Sequence, residues 1–383
     1  MRFLQANAIF DGKKFLEPDC ILVLDSKNET RDILPPNAIE ASRIEKWQGW
    51  LCPGFVNAHC HLELSHMVAQ VPRGTGLPAF GKQIISKRGA FKPEEAAEHM
   101  QEADRNMWSK GIVAVGDISN NAASFKTKAE SKITYHTFIE LLGLNPALAN
   151  VVFEQGEALV AEAEEYDLKA SLSPHAPYSV SRDLFLLIKN WCEIKQQPYT
   201  LHNQESEEEL KFLKGEPGGF DELYRFLNVD LSFYKAPGKW GLDYLQDLLP
   251  RSLSLLIHNT FASAQDLALA SELNAYLCFC PGANAYIEER LPDFELFKPH
   301  IKKLCIGTDS LASNDQLDVL KEANTVMQMG KFQTEDILKM LSSQGAEALG
   351  LSQSHGQIAI GKNAGLNLVE YKSNQLSFLK KIA

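Results

Sequence analysis
The 383-residue sequence predicts an α/β fold: a (β/α)8 TIM-like barrel with a small composite β-sandwich formed by the N- and C-terminal segments. Three observations predict it. Short apolar runs alternate with amphipathic stretches through the middle of the chain, the pattern of parallel βαβ units. The two ends break that alternation and read as hairpins. Histidines and acids collect at the downstream ends of the apolar runs, where a barrel carries its active site.

Near the start, AIFDGKKFLEPDCILVL reads as strand, turn, strand. Eight strands then follow, at Trp50–Ala58, Gly111–Ser119, Ile133–Leu141, Leu168–His175, Pro198–Glu205, Leu253–Thr260, Asn274–Cys280 and Lys302–Ser310. Between them lie stretches such as PEEAAEHMQEADRNMWSK, VSRDLFLLIKNWCEIK and SAQDLALASEL. Each has a polar or Pro start and apolar residues three and four apart, which predicts helix. Lys214–Pro250 is a long insertion before the sixth strand, and insertions of that length carry function or helices of their own. Near the end, HGQIAIGKNAGLNLVEY again reads as strand, turn, strand. Residues 1–49 and 351–383 are therefore expected to form the β-sandwich, and residues 50–350 the barrel.

Composition bounds the function. Apolar residues make up 45% and charged residues 23%, the balance of a globular protein with a sizeable core. The net charge of −11 argues against non-specific binding to nucleic acid or to an anionic membrane. No secretory signal or membrane span is expected, so the protein is placed in the cytoplasm. The seven cysteines (Cys20, Cys52, Cys60, Cys192, Cys278, Cys280 and Cys305) are odd in number, and several lie in apolar runs, which fits free buried thiols. A homodimer is the default oligomer.

The chemistry lies at the strand ends. His59 and His61 sit two apart at the end of the first strand, so both imidazoles face one side. His202 ends the fifth strand and Asp309 the eighth. Three imidazoles and a carboxylate around an open position suit one divalent cation, zinc first and iron as the alternative. A cation there lowers the pKa of a water to roughly 7. Glu205, three residues after His202, is the expected general acid/base. Glu207 to Glu209 read as solvated acids at a helix start. Asp309 is expected to accept a proton from the water, and His258 to orient it or polarise the substrate. Glu140 ends the third strand and receives no role.

The segments PGFVNAHCHLELS, SPHAPYSVS, LHNQES, LLIHNT, CPGANAYI and CIGTDSLASN occur in this order. Together they resemble the amidohydrolase superfamily, in its branch of cytosine, guanine and adenosine-type deaminases and triazine chlorohydrolases. The resemblance runs from about Trp50 to about Leu351, and the tail GQIAIGKNAGLNLVEY is similar to the family's closing β-segment. It implies one metal held at the positions of His59, His61, His202 and Asp309. It also implies proton shuttling at Glu205 and water orientation at His258. Two-metal members carry a modified lysine at the end of the fourth strand. His175 stands there instead, which implies the one-metal type and makes His175 a contact to a purine edge.

HCHLELS and VPRGTG most resemble the aminodeoxyfutalosine deaminases of the futalosine route to menaquinone, which act on an adenine nucleoside bearing a benzoate. Two motifs depart. CPGAN carries Ala283 where a hydroxyl is usual, and the tail reads Ala364-Gly365-Leu366. Arg73 is the candidate partner of a substrate carboxylate. Glu63 is the candidate for a ribose hydroxyl, or else a buttress to His61. Asn284 and Ser313 are mouth-lining by position. The leading expectation is hydrolytic deamination of an aminated purine nucleoside, 6-aminodeoxyfutalosine foremost. Deamination of another purine or pyrimidine, dechlorination or amide hydrolysis at the same site, and an inactive binding barrel remain as alternatives.

Overall fold
The structure is a computed structural model describing all residues from Met1 to Ala383. Its strands, in chain order, are β1 (Arg2–Ile9), β2 (Ile21–Leu24), β3 (Thr30–Leu34), β4 (Ile44–Pro53), β5 (Phe55–Cys60), β6 (Ile112–Ser119), β7 (Thr134–Leu141), β8 (Lys169–Pro174), β9 (Tyr199–Asn203), β10 (Ser254–His258), β11 (Tyr276–Phe279), β12 (Leu304–Ile306), β13 (Leu366–Lys372) and β14 (Gln375–Lys381).

The eight expected central strands all form, as β5 to β12. They are arranged as two four-stranded parallel sheets, β5-β6-β7-β8 and β9-β10-β11-β12. Helices such as Pro93–Ser109, Ala149–Glu165 and Arg182–Lys195 connect successive strands, as parallel pairing requires. A cluster of 16 buried residues, including Val56, Ala114, Phe138, Leu255 and Cys278, fills the space between the sheets. The sheets meet at both edges through isolated backbone contacts rather than ladders. At one edge, Cys60 and Asp309 form a single parallel bridge, and the Thr308 and Asp309 amides donate to the His59 carbonyl at 3.0 and 3.1 Å. At the other, the His202 amide donates to the His175 carbonyl at 3.0 Å.

The chain ends pair, but as one sheet. Its order is β14-β13-β4-β1-β2-β3, so both ends contribute to a single six-stranded layer where a sandwich was expected. Leu4, Leu22, Leu51, Leu366 and Leu368 form its core. Two boundaries differ from expectation. Trp50–Ala58 is not one strand: β4 ends in the six-stranded sheet at Pro53, and β5 starts in the parallel sheet at Phe55. Gly54 makes the crossing, and a Cβ there would lie 2.4 Å from Val113 Cγ1, so no larger residue fits the closest approach. The C-terminal hairpin is also displaced, because HGQIAI forms no strand. The hairpin is β13 and β14, joined by Ser373 and Asn374 with φ of 53° and 57°. Two successive left-handed residues form the tight turn whose twist matches paired antiparallel strands.

All seven cysteines are free and buried. No helix is long and apolar enough to cross a membrane.

Candidate active site
The strand ends converge as the alternation predicts. His59 and His61 come from the end of β5, His202 from β9, His258 from β10, and Asp309 from the loop after β12. His61 Nε2 lies 3.3 Å from both His202 Nε2 and Asp309 Oδ1, and His59 Nε2 lies 3.4 Å from Asp309 Oδ1. Gly307 brings the two strand ends together, since a Cβ on it would lie 2.7 Å from His59 Cβ and 2.9 Å from the His59 backbone.

The backbone is bent to aim these groups. Asp309 has φ +58°, His258 φ +69° and Asn259 φ +53°, all in the left-handed region. Such residues cost on the order of 1–3 kcal/mol each and persist where surrounding structure over-determines them. At Asp309 that surrounding structure is visible. Ser313 donates to Asp309 Oδ2 at 2.6 Å, which leaves Oδ1 to the imidazoles.

Hydrogen bonds fix which nitrogen each ring presents. His202 Nδ1 donates to the His175 carbonyl at 3.0 Å, so Nε2 keeps its lone pair. His258 Nδ1 donates to Asn284 Oδ1 at 2.8 Å, leaving Nε2 3.5 Å from Glu205 Oε1. The buried His59 Nε2 has no hydrogen-bond partner. Electrostatics point the same way. Burial pushes the pKa of His59 down, that of His61 to about 4 and that of His202 well below its usual value, so all three rings are neutral. Burial alone would raise the Asp309 carboxyl, but His59, 3.4 Å away, and the other imidazoles beside it hold it well below the usual carboxylate range. Neutral imidazoles with converging lone pairs and one ionised carboxylate are the donor set of a divalent cation. His59, His61 and Asp309 bring one donor atom each within 4.8 Å of one another.

Glu205 enters the site through a short relay. β9 ends at Asn203, earlier than expected, and Gln204 at φ +49° turns the chain. Ser206 caps the helix Glu207–Lys214 by accepting from the Glu209 amide at 3.1 Å. Glu209 is buried and not one of the expected solvated acids. Its carboxylate accepts the amides of Gln204 and Glu205, both at 3.0 Å, which fixes the turn that presents Glu205. The signal for this was Ser206-x-x-Glu209, the spacing of a capping box. Burial, then Asp309, pushes the Glu205 carboxyl well above the ordinary range, which favours its protonated form beside His258.

A cavity of about 730 Å3 opens over these residues. Leu77, Phe80 and Ile84 of the helix Leu77–Lys87 form one wall. Phe220, Leu223 and Tyr224 form another, from the helix Gly219–Phe226, so the insertion before β10 walls the site. Tyr178 stacks on Phe220 with ring centroids 4.2 Å apart.

The remaining expected contacts divide. His175 lines the cavity, its Nδ1 held by Ser179 Oγ at 2.6 Å. Arg73 is not brought there. It lies at the surface, pairs with Asp315 at 2.6 Å and covers the Tyr286 ring. Ser313 is fully buried behind Asp309, and Asn284 behind His258, so both touch the site through the residues they hold. Glu63 is buried and accepts the Asn120 amide at 3.0 Å, a partner other than His61. Arg88, Asn120 and Glu140 line the cavity without having been singled out for it. Glu140 had the correct signal, a carboxylate at a strand end.

The amidohydrolase family model matches residues 50–383. The chain belongs to the amidohydrolase family. It is a hydrolase acting on carbon–nitrogen bonds. It is similar to an adenosine deaminase of Helicobacter pylori, at 30% identity over 83% of this chain and 78% of that protein. It is also similar to an aminodeoxyfutalosine deaminase of a Nitratiruptor species, at 25% identity over 97% and 91%. The structure of Helicobacter pylori aminofutalosine deaminase in complex with methylthio-coformycin superposes with a TM-score of 0.86, covering all of both chains at 24% identity. That likeness establishes the fold.

Proposed function
We propose that this amidohydrolase is a metal-dependent deaminase of an aminated purine nucleoside, with 6-aminodeoxyfutalosine as its leading substrate. One observation carries the reading: a buried Glu205 stands 3.5 Å from His258 at the edge of a cation donor set, under a largely apolar cavity. An amine leaving group needs a proton, and Glu205 has one to give. The names of the relatives support the same chemistry.

On this reading His59, His61, His202 and Asp309 hold one divalent cation, zinc first. Bound there, it supplies a Lewis acid and an acidified water. The chain's own residues do the rest. Asp309 accepts a proton from the attacking water. Glu205 protonates the purine ring nitrogen as the new carbon–oxygen bond forms, then takes the proton of the new hydroxyl and hands it to the departing amine, which leaves as ammonia; the proton held by Asp309 restores Glu205. His258, its Nδ1 fixed by Asn284, orients the water. The apolar walls exclude bulk solvent and strengthen each of these interactions. Residues 50–350 read as the barrel unit that performs the reaction, and the paired chain ends as its support. A cytoplasmic location and a homodimer complete the proposal.

Apart from the histidines, the cationic side chain in the cavity lining is Arg88. It takes the place given to Arg73 as partner of a substrate carboxylate. Ammonia release by metal-loaded enzyme tests both points, with 6-aminodeoxyfutalosine and adenosine as substrates. Release from neither sinks the deaminase reading. Arg88→Ala should raise KM for the carboxylated substrate by about 10- to 100-fold and leave adenosine nearly unaffected.

A further inference from the structure
Glu140 has an unmet requirement. It is buried at the end of β7, and it lines the cavity. One carboxylate oxygen, Oε2, accepts from Asn120 Nδ2 at 3.0 Å. Asn120 is itself pinned, because its amide donates to Glu63 Oε2 at 3.0 Å and its Nδ2 also reaches the Glu140 carbonyl at 3.2 Å. The other oxygen, Oε1, is buried with no hydrogen-bond partner. A buried carboxyl oxygen left unpaired is costly, and native structures resolve such groups with a partner.

The protein has no donor to spare for it. His202 Nδ1, 3.4 Å away, already gives its proton to the His175 carbonyl at 3.0 Å. Asn120 Nδ2 serves the other oxygen. The missing donor must therefore arrive in the cavity. Position narrows what it is. Glu140 lies against the Nδ1 side of His202, while Nε2 of the same ring faces His61 in the cation donor set. The unpaired oxygen is thus one imidazole ring away from the reacting centre. A purine whose amine-bearing carbon sits at that centre has its base nitrogens and amine engaged there. The donors it has left, one ring away, are its sugar hydroxyls.

We propose that Glu140, positioned by Asn120 and Glu63, is a specificity-determining residue that accepts a hydrogen bond from a sugar hydroxyl of the nucleoside. This rests on the purine nucleoside reading above. It assigns to Glu140 the hydroxyl contact expected of Glu63, which becomes the support two bonds back. It also implies that free bases and dideoxynucleosides are poor substrates, because both leave Oε1 unpaired.

The test compares a purine nucleoside carrying 2′- and 3′-hydroxyls with its 2′,3′-dideoxy counterpart. Wild-type enzyme, Glu140→Ala and Glu140→Gln are each assayed for kcat, KM and bound metal. Wild type should favour the hydroxylated substrate by about 10- to 100-fold in kcat/KM. Glu140→Ala should bring that ratio close to 1, mainly through KM, with metal content unchanged. If Glu140 serves only to hold His202, the variants lose metal and kcat equally for both substrates and the ratio stays put, which overturns the proposal. No preference in wild type overturns it without any variant. If wild type releases ammonia from neither nucleoside, the deaminase reading has failed instead. Calorimetric binding of the same pair then decides this point, equal affinities counting against it.

Discussion

At the residue scale, the site is a set of groups whose protonation is decided by burial and fixed by named hydrogen bonds. Glu205 is the clearest case. Its carboxyl is pushed up by burial, its backbone amide is tied to Glu209, and its side chain faces His258. Glu205→Gln keeps the shape and removes the transferable proton. It should lower kcat by about 100- to 10,000-fold while metal content and KM change little, as read by steady-state kinetics with metal analysis. What was legible at this scale was the convergence of His59, His61, His202 and Asp309, residue types with few other reasons to cluster at strand ends. Arg73 was misplaced for a physical reason. A flexible arginine in a Gly/Pro-rich loop goes to the acid it can reach, and nothing local in the sequence marks that acid as Asp315. Ser313 and Asn284 were found by position, but whether such a group faces the cavity or braces a neighbour depends on rotamers that strand register does not fix.

At the scale of elements, the alternation of strand and helix was readable because parallel strands are apolar along their whole length and the helices between them are amphipathic. The ends of the elements were less so. Trp50 to Ala58 is apolar apart from Asn57, so the change of sheet at Gly54 leaves little mark in hydrophobicity, and its sequence mark is the Pro53-Gly54 pair. Gly54→Ala places a methyl group against Val113 and should cost about 1–3 kcal/mol, visible as a lower denaturation midpoint at unchanged slope. A tolerated substitution would mean that the crossing has room to relax. The helix Gly219–Phe226 was foreseen only as an insertion. Phe220, Leu223 and Tyr224 stand three and four apart, so its apolar stripe is legible in sequence, but what the stripe faces is not: that comes from Tyr178 and Leu77, which share its apolar cluster.

For the whole molecule, the proposed cation site lies across strands that have no ladder between them. β5 and β12 meet through a single bridge, and the donor set spans that edge and reaches β9. A cation bound as proposed would hold the two parallel sheets in register as well as doing chemistry. Stripping the metal with a chelator should lower the thermal midpoint, by the equivalent of about 4 kcal/mol where the ion is present at a thousand times its dissociation constant. Hydrogen exchange in β5 and β12 should rise more than in β1 or β14. Equal protection throughout would show that the seam stands without it.

The pairing of β13 with β4 also constrains how the protein is made. β4 runs straight into the strand carrying His59 and His61, and its neighbour on one side is supplied by Leu366 to Val369. A ribosome delivers those residues tens of seconds after Pro53 has emerged, at about 5–20 residues per second. For that interval β4 is a bare strand edge, the kind of surface that recruits other chains. The nascent protein thus has a long window in which the strand leading into its first two histidines lacks the neighbour that the final hairpin supplies.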